Sequence, residues 1–388
     1  MVVINPAAWL AHPSKAALKR LPVCRYRMLF VVIVLIGLLG GGLRYRSFAT
    51  ADEGSPSGCG TAAGPFSEGK TRIFQANKKP YVPYGLTVPG LAYKDYQDNL
   101  SQMSAQIDAA AASWCVNTVR LQVAPYDLIG RNGHGYSAAF MTALQNEVKL
   151  AESYHLVVVI SAQYEAYGHT RNPTANTAQF WKDVCAVYGA DPQVVLDLYN
   201  EPQIDTGNAA RTWQIWRNGG TYDGSTYLGM QDLVSDVRAD GAKNLLWVEG
   251  PAGASTLARV GSYLLSGEPL EYDFHHPAGA HDVAAWQHNF GHLLTKGIAP
   301  VVDGEWTNWA STRAECWPDA RTAVRAYLTY LHGKGIGMTA WALQPGVLIA
   351  SGNLADPTHI RPDWACADGL DEGAGSLIMQ WYQRNNGP

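Results

Sequence analysis

No CxxC pair occurs anywhere in the 388 residues, which argues against a zinc cluster. No GxGxxG or GxxxxGK[ST] follows a strand-like run, so the phosphate cradles that accompany a doubly wound open sheet are missing. Charge is scarce. Only 16% of residues are Asp, Glu, Lys or Arg and the formal net charge is -4, so nothing polybasic invites nucleic acid as a partner. There is no internal repeat and no low-complexity tract beyond one short linker. What remains is a chain that is 47% hydrophobic with 39 glycines, which suits one large globular domain behind an N-terminal extension.

That extension reads as targeting. Lys15, Lys19, Arg20, Arg25 and Arg27 precede the apolar run Met28 to Leu43, and positive charge before an apolar run is an export signature. The run is short for a span, which wants about 20 apolar residues, and long for a signal core. Ala49-Thr50-Ala51 offers a cleavage site, whereas Arg44 and Arg46 disfavour one. A cleaved signal and a single-pass anchor both stay open. Either leaves the rest of the chain extracytoplasmic, with the membrane reached only through residues 28–43. Residues 1–50 are this segment, 51–63 a Gly/Ser/Pro-rich linker, and 64–388 the folded domain. Export permits disulfides, but Cys59, Cys115, Cys185, Cys316 and Cys366 are odd in number; a Cys316–Cys366 bridge is the expected pair.

The domain alternates apolar strand-like runs with helical ones. A hairpin around Asn77 to Pro80 precedes strands expected at 81–88, 116–123, 155–163, from Val194, 244–249, 271–275, 299–304 and 337–343. Helices are expected at 96–113, 138–154, 177–188, 208–216, 226–240, 283–296, 312–332 and 376–384. Eight strands alternating with helices predict an α/β fold, a (β/α)8 TIM barrel, whose chemistry gathers at the C-terminal strand ends.

Two of those ends carry glutamates. The run Val194 to Tyr199 stops at Asn200-Glu201-Pro202, and Pro300 to Trp306 ends in Glu305. Two glutamates at the ends of two strands are what glycoside hydrolysis needs, one to protonate the leaving oxygen and one to attack the anomeric carbon. The pairing and its neighbours resemble the cellulase-like family 5 of glycoside hydrolases. The resemblance implies Glu201 as acid/base and Glu305 as nucleophile of a retaining hydrolysis. It also implies Arg120 beside the nucleophile, Asn200 on the sugar 2-hydroxyl, His275 within the catalytic centre and Trp341 beneath the sugar. Trp306 and Trp309 are further aromatic platform candidates, and some of the 13 Trp and 20 Tyr are expected to line the groove. Asp197 and Asp303 are expected to share faces with the two glutamates and to serve structure.

Two positions depart from the family pattern. The third strand ends at Gln163 rather than a histidine and Pro277 stands where a tyrosine is common, with Tyr164 or Tyr272 as the candidate replacement contact. The expected substrate is a β-1,4-glucan, with mannan or another β-glycan as the alternative. A cell-surface barrel that binds carbohydrate without cleaving it is the reading from another class. No metal or organic cofactor is required, and a monomer is expected. The loop from Ser351 to Gly373, with Trp364 and several acids, either walls one end of the cleft or is a solvated insertion.

Overall fold

Short Val/Leu-rich runs satisfy their backbone groups by pairing edge to edge, and eight of them close into a ring. In the computed structural model these are Tyr84–Val88 (β1), Thr118–Val123 (β2), Val157–Ala162 (β3), Val194–Asp197 (β4), Leu246–Glu249 (β5), Leu270–Pro277 (β6), Val301–Thr307 (β7) and Met338–Ala340 (β8). Each is parallel to its neighbour, in chain order, and β8 closes on β1. The structure describes residues 58–93, 96–130, 133–163, 171–277, 282–307, 320–344, 347–349 and 375–387. The leader, Tyr164, Trp309, the loop 351–373 and the Cys316–Cys366 pair lie outside these residues. Among the described residues, no helix is long and apolar enough to cross a membrane.

Side-chain alternation sorts each strand into two faces. Val119, Leu121, Val123, Val158 and Ile160 point outward and pack with helix residues such as Phe140, Leu144, Phe180 and Trp181. Val157, Val159, Val195, Leu245, Trp247 and Val302 form a separate cluster with Ala62, Phe66, Ile73 and Tyr81. This second cluster fills the bottom of the barrel. Each fully buried aliphatic side chain in such a core contributes roughly 1.5–3 kcal/mol. A hairpin of Ser67–Glu68 and Ile73–Phe74 supplies the plug, and Phe74 bridges Pro80 across the turn expected at Asn77 to Pro80. Residues 58–63, expected as linker, belong to this floor: Ala62 is 2% exposed and Gly60 N–H donates to the Asn386 carbonyl.

Cys59 is bonded to Cys115, with Cα atoms 5.2 Å apart and a sequence separation of 56. Among the described cysteines Cys185 is free and buried. The bridge ties the floor to the turn before β2. Closing a loop of that length stabilises the fold by about 4 kcal/mol in the chain-entropy account. Cys59→Ser is therefore expected to lower the denaturation midpoint under oxidising conditions and to remove this bridge's share of the shift that a reductant causes. A midpoint identical to wild type would show that the bridge carries no stability.

Glu271 sits in the same floor, 4% exposed, accepting a 2.9 Å hydrogen bond from Trp247 Nε1. Burial pushes its carboxyl up to about 8 from an ordinary 4.5, against the Trp247 bond, which lowers it. A value raised by folding stabilises the protein fully below the ordinary value, and that contribution is lost as pH rises through the folded one. Stability should thus decline from about pH 5 to about pH 9, and Glu271→Gln, which keeps an acceptor for Trp247, should flatten the decline. Thermal midpoints across that range test this; an unchanged slope in the variant refutes it.

Several helices differ from expectation for identifiable reasons. Tyr96–Ser113 matches its expected span. The helix expected from Thr226 begins at Met230, because Ser225–Tyr227 pairs with Gly220–Tyr222 through a two-residue turn. Asp223 and Gly224 at that turn have φ of 47° and 76°, the left-handed pair a tight hairpin demands. The helix expected at 283–296 is broken by a π segment, Gln287–Gly291, where Asn289 turns its side chain to the Leu257 N–H and Ser255 carbonyl. Among the described residues, Ala320–Lys334 and Gly375–Asn386 are the last two helices on the barrel wall.

Candidate active site

Inward-facing polar residues replace valines at the top of the barrel. On β2 the inward positions Thr118, Arg120 and Gln122 alternate with Val119, Leu121 and Val123. Arg120 lies within the strand, rather than at its end, and is fully buried. Its guanidinium is the hub. Nε and Nη2 donate to Asp197 Oδ2 at 3.0 and 2.8 Å, and Nη1 donates to Glu305 Oε2 at 2.8 Å. Nη2 also reaches Ser161 Oγ at 2.9 Å, Asn200 Oδ1 at 2.7 Å and Glu249 Oε1 at 3.1 Å. Burial opposes its charge, but Asp197, Glu305 and Glu249 outweigh that and hold it above its ordinary value. A buried cation of this kind costs several kcal/mol unless it is fully paired, and here every branch has a carboxylate or amide oxygen.

Glu305 reaches this hub through a backbone irregularity. Phe274 pairs with Asp303 but His275 pairs with Glu305, so β7 carries one extra residue, Gly304. Without the bulge, Glu305 would share the outward face of Asp303. Asp303 instead receives the Tyr327 hydroxyl at 2.6 Å from helix Ala320–Lys334, so the expectation that 303 and 305 share a face is corrected. Gly304 is required at the bulge: its N–H donates to Asp273 Oδ1 at 2.6 Å, and an added Cβ would lie 1.9 Å from Asp273 Oδ2. The same step sends Trp306 outward into the core, where it is 0% exposed. Trp306 therefore cannot be a sugar platform, as the sequence had suggested. Trp341, immediately after β8, keeps part of its surface exposed and receives no such burial.

Glu201 stands across from Glu305, one-third exposed at its side chain, with Glu305 at 14%. The chain turns sharply there: Glu201 has a φ of 52°, a left-handed conformation unusual for a side-chain-bearing residue. Its N–H donates to Glu249 Oε2, which fixes the turn. His275 Nδ1 lies 3.2 Å from Glu201 Oε1, and Nε2 makes a 3.2 Å ion-pair contact with Glu249 Oε1. Burial disfavours the imidazolium, yet Glu249 and Glu201 outweigh it and raise His275 well above its ordinary value. An oxygen of Glu201, an oxygen of Glu305 and a nitrogen of His275 all lie within 4.8 Å of one another.

Sequence reasoning thus brought Arg120, Asn200, Glu201, His275 and Glu305 to one place, and Asp197 joins them as a partner of Arg120. It missed two residues. Glu249 ends β5, where the rule that strand ends carry the chemistry would have pointed to it. It is fully buried; burial pushes its carboxyl up to about 7, against His275 and Arg120, which lower it. Gln122 donates to Glu305 Oε2 at 2.8 Å, and its signal was its inward parity with Arg120. Burial also raises Glu305, while His275 and Arg120 pull it down. Glu201, His275 and Glu305, and likewise Glu249, Asp273 and His275, bring donor atoms within metal-ligand spacing. Arg120 and the imidazolium already place positive charge among these carboxylates.

A closed parallel barrel with one glutamate just past β4, another on β7 and an arginine beneath them is the architecture of the retaining-glycosidase barrels. The model of the cellulase family, glycosyl hydrolase family 5, matches residues 75–346, and the chain belongs to that family. Endoglucanase Z of Dickeya dadantii is 22% identical over 174 residues, which cover 44% of this chain and 36% of that relative, so the match spans about a third of the relative's length. Among solved structures, the cellulase Cel5C_n superposes with a TM-score of 0.67 at 13% identity, covering 87% of this chain and 97% of that one. A β-glucanase from Saccharophagus degradans in complex with cellotetraose gives 0.61 at 16% identity, covering 88% and 99%. These two likenesses concern the fold.

Proposed function

We propose that the protein is a retaining hydrolase of β-glycosidic bonds, with Glu201 as acid/base and Glu305 as nucleophile. The observation that carries the reading is the approach of the two carboxyls: oxygens of both lie within 4.8 Å of a shared His275 nitrogen and of each other. Double displacement wants carboxyls roughly 5 to 5.5 Å apart, whereas inversion wants about 6.5 to 9.5 Å to admit a water. Glu305, held by Arg120, attacks the anomeric carbon. Glu201 gives its proton to the departing glycosidic oxygen as that carbon–oxygen bond breaks. Water then enters, Glu201 takes its proton, and the new bond releases Glu305. Asn200 presents its oxygen to Arg120, which leaves its amide N–H groups to donate to a sugar 2-hydroxyl. Trp341 offers an indole face to the pyranose C–H bonds.

A β-1,4-glucan is the substrate we favour, since Endoglucanase Z and the cellotetraose-bound β-glucanase are both named for glucan chemistry. The leader's charge pattern supports export, so action outside the cytoplasm is part of the proposal. Product release from a panel of β-glucans and β-mannans, with proton NMR of the anomer first formed, tests the reading. Release of the β-anomer is expected. Binding to a polymer without cleavage of any would favour a carbohydrate-binding barrel, and an α-anomer as first product would replace retention by inversion.

A further inference from the structure

We propose that Gln122 is a positioning residue for Glu305: with Arg120 it holds Oε2 of that carboxylate, so that Oε1 is the oxygen that attacks. The inference rests on Glu305 being the nucleophile. Arg120 and Gln122 lie two residues apart on β2 and so face the barrel interior together. Arg120 Nη1 and Gln122 Nε2 each donate to the same oxygen, Glu305 Oε2, at 2.8 Å. Two donors on Oε2 occupy its lone pairs and fix the rotation of the carboxylate about its terminal bond. The amide orientation follows from chemistry, because its carbonyl against a carboxylate would set two acceptors face to face.

Gln122 is 3% exposed, between the apolar outward neighbours Leu121 and Val123. A buried primary amide is costly unless bonded, and Glu305 meets that need. Its neutrality matters. Arg120 already supplies the charge that keeps Glu305 ionised, and a second cation would make the carboxylate a poorer nucleophile. A neutral N–H adds direction with less of that penalty. The pull of burial on Glu305 toward its protonated form agrees with the need for a second donor.

The test uses Gln122→Met, which keeps length and removes the donor, and Gln122→Ala as a second variant, both checked for fold by near-ultraviolet circular dichroism. Dinitrophenyl β-cellobioside is the probe, because its leaving group departs without protonation and Glu201 drops out of the first step. Glycosyl-enzyme formation should slow about 10- to 100-fold, the worth of one hydrogen bond to a charged group. The substrate dissociation constant, read from the same pre-steady-state data, should change little. The acidic limb of kcat/KM should move to higher pH, because a donor that favours the ionised carboxylate is gone. An unchanged rate of glycosyl-enzyme formation with an unmoved acidic limb, or a weakened substrate dissociation constant alone, would overturn the assignment. If the wild-type protein forms no covalent adduct with a 2-deoxy-2-fluoro cellobioside by mass spectrometry, the nucleophile reading itself fails and takes the inference with it.

Discussion

Glu305→Ala abolishes turnover, with kcat on a β-glucan falling by about four to six orders of magnitude, the range seen when a covalent nucleophile is removed. The fold survives this change. Arg120 keeps Asp197 and Glu249 as charged partners when Glu305 is gone, so no buried cation is stranded. Burial already works against the ionised Glu305, while its loss leaves the Gln122 amide without that acceptor, so the two effects oppose and the thermal midpoint should shift little. External azide should restore part of the activity and leave an α-glycosyl azide, because attack then comes from the emptied side of the sugar. Kinetics with product NMR on the purified variant are the measurement. Turnover near the wild-type level in a folded variant would remove Glu305 from the mechanism.

Glu201→Ala is expected to lose about 10²- to 10⁴-fold on the polymer, the usual share of general acid catalysis. The loss should nearly vanish for the first step with a dinitrophenyl glycoside, whose leaving group needs no proton. The second step still needs a base, so the glycosyl-enzyme should accumulate, and azide should discharge it as a β-glycosyl azide. Equal losses on the activated glycoside and on the polymer would show that Glu201 binds or shapes the cleft rather than transferring a proton. The configurations of the two azides are opposite, so together the variants assign the roles independently.

Much of this site was legible in the chain because strand ends are local features. A short apolar run, a breaker and a polar pair mark Asn200-Glu201-Pro202 without any tertiary information. The same reasoning found Glu305, whereas Arg120, which lies within its strand, came only from the resemblance to the cellulase-like family. It placed Glu305 with Asp303 by period-two counting, however, and counting fails at a bulge. Gly304 inserts one residue, which turns Glu305 inward and Trp306 outward. The error over Asp303 has that cause; Trp306 was proposed only for its place beside Glu305, and alternation past an inward Glu305 sends it outward. Glu249 and Gln122 went unread for another reason: a carboxyl at a strand end and an amide within one are common, and their roles exist only through partners 48 and 183 residues away.

The sequence by itself determined the barrel, through the alternation of apolar strands and helices, and determined which two glutamates stand at the strand tips. Tertiary structure decided which atoms meet. The register shift at Gly304, the anchoring of Glu201 by Glu249 and the Cys59–Cys115 link are all products of contacts between segments far apart in the chain. Periodicity acts over a few residues, where propensity and burial are set. Register, bulges and hydrogen-bond partners are set by neighbouring strands and opposite walls, and no local pattern encodes them.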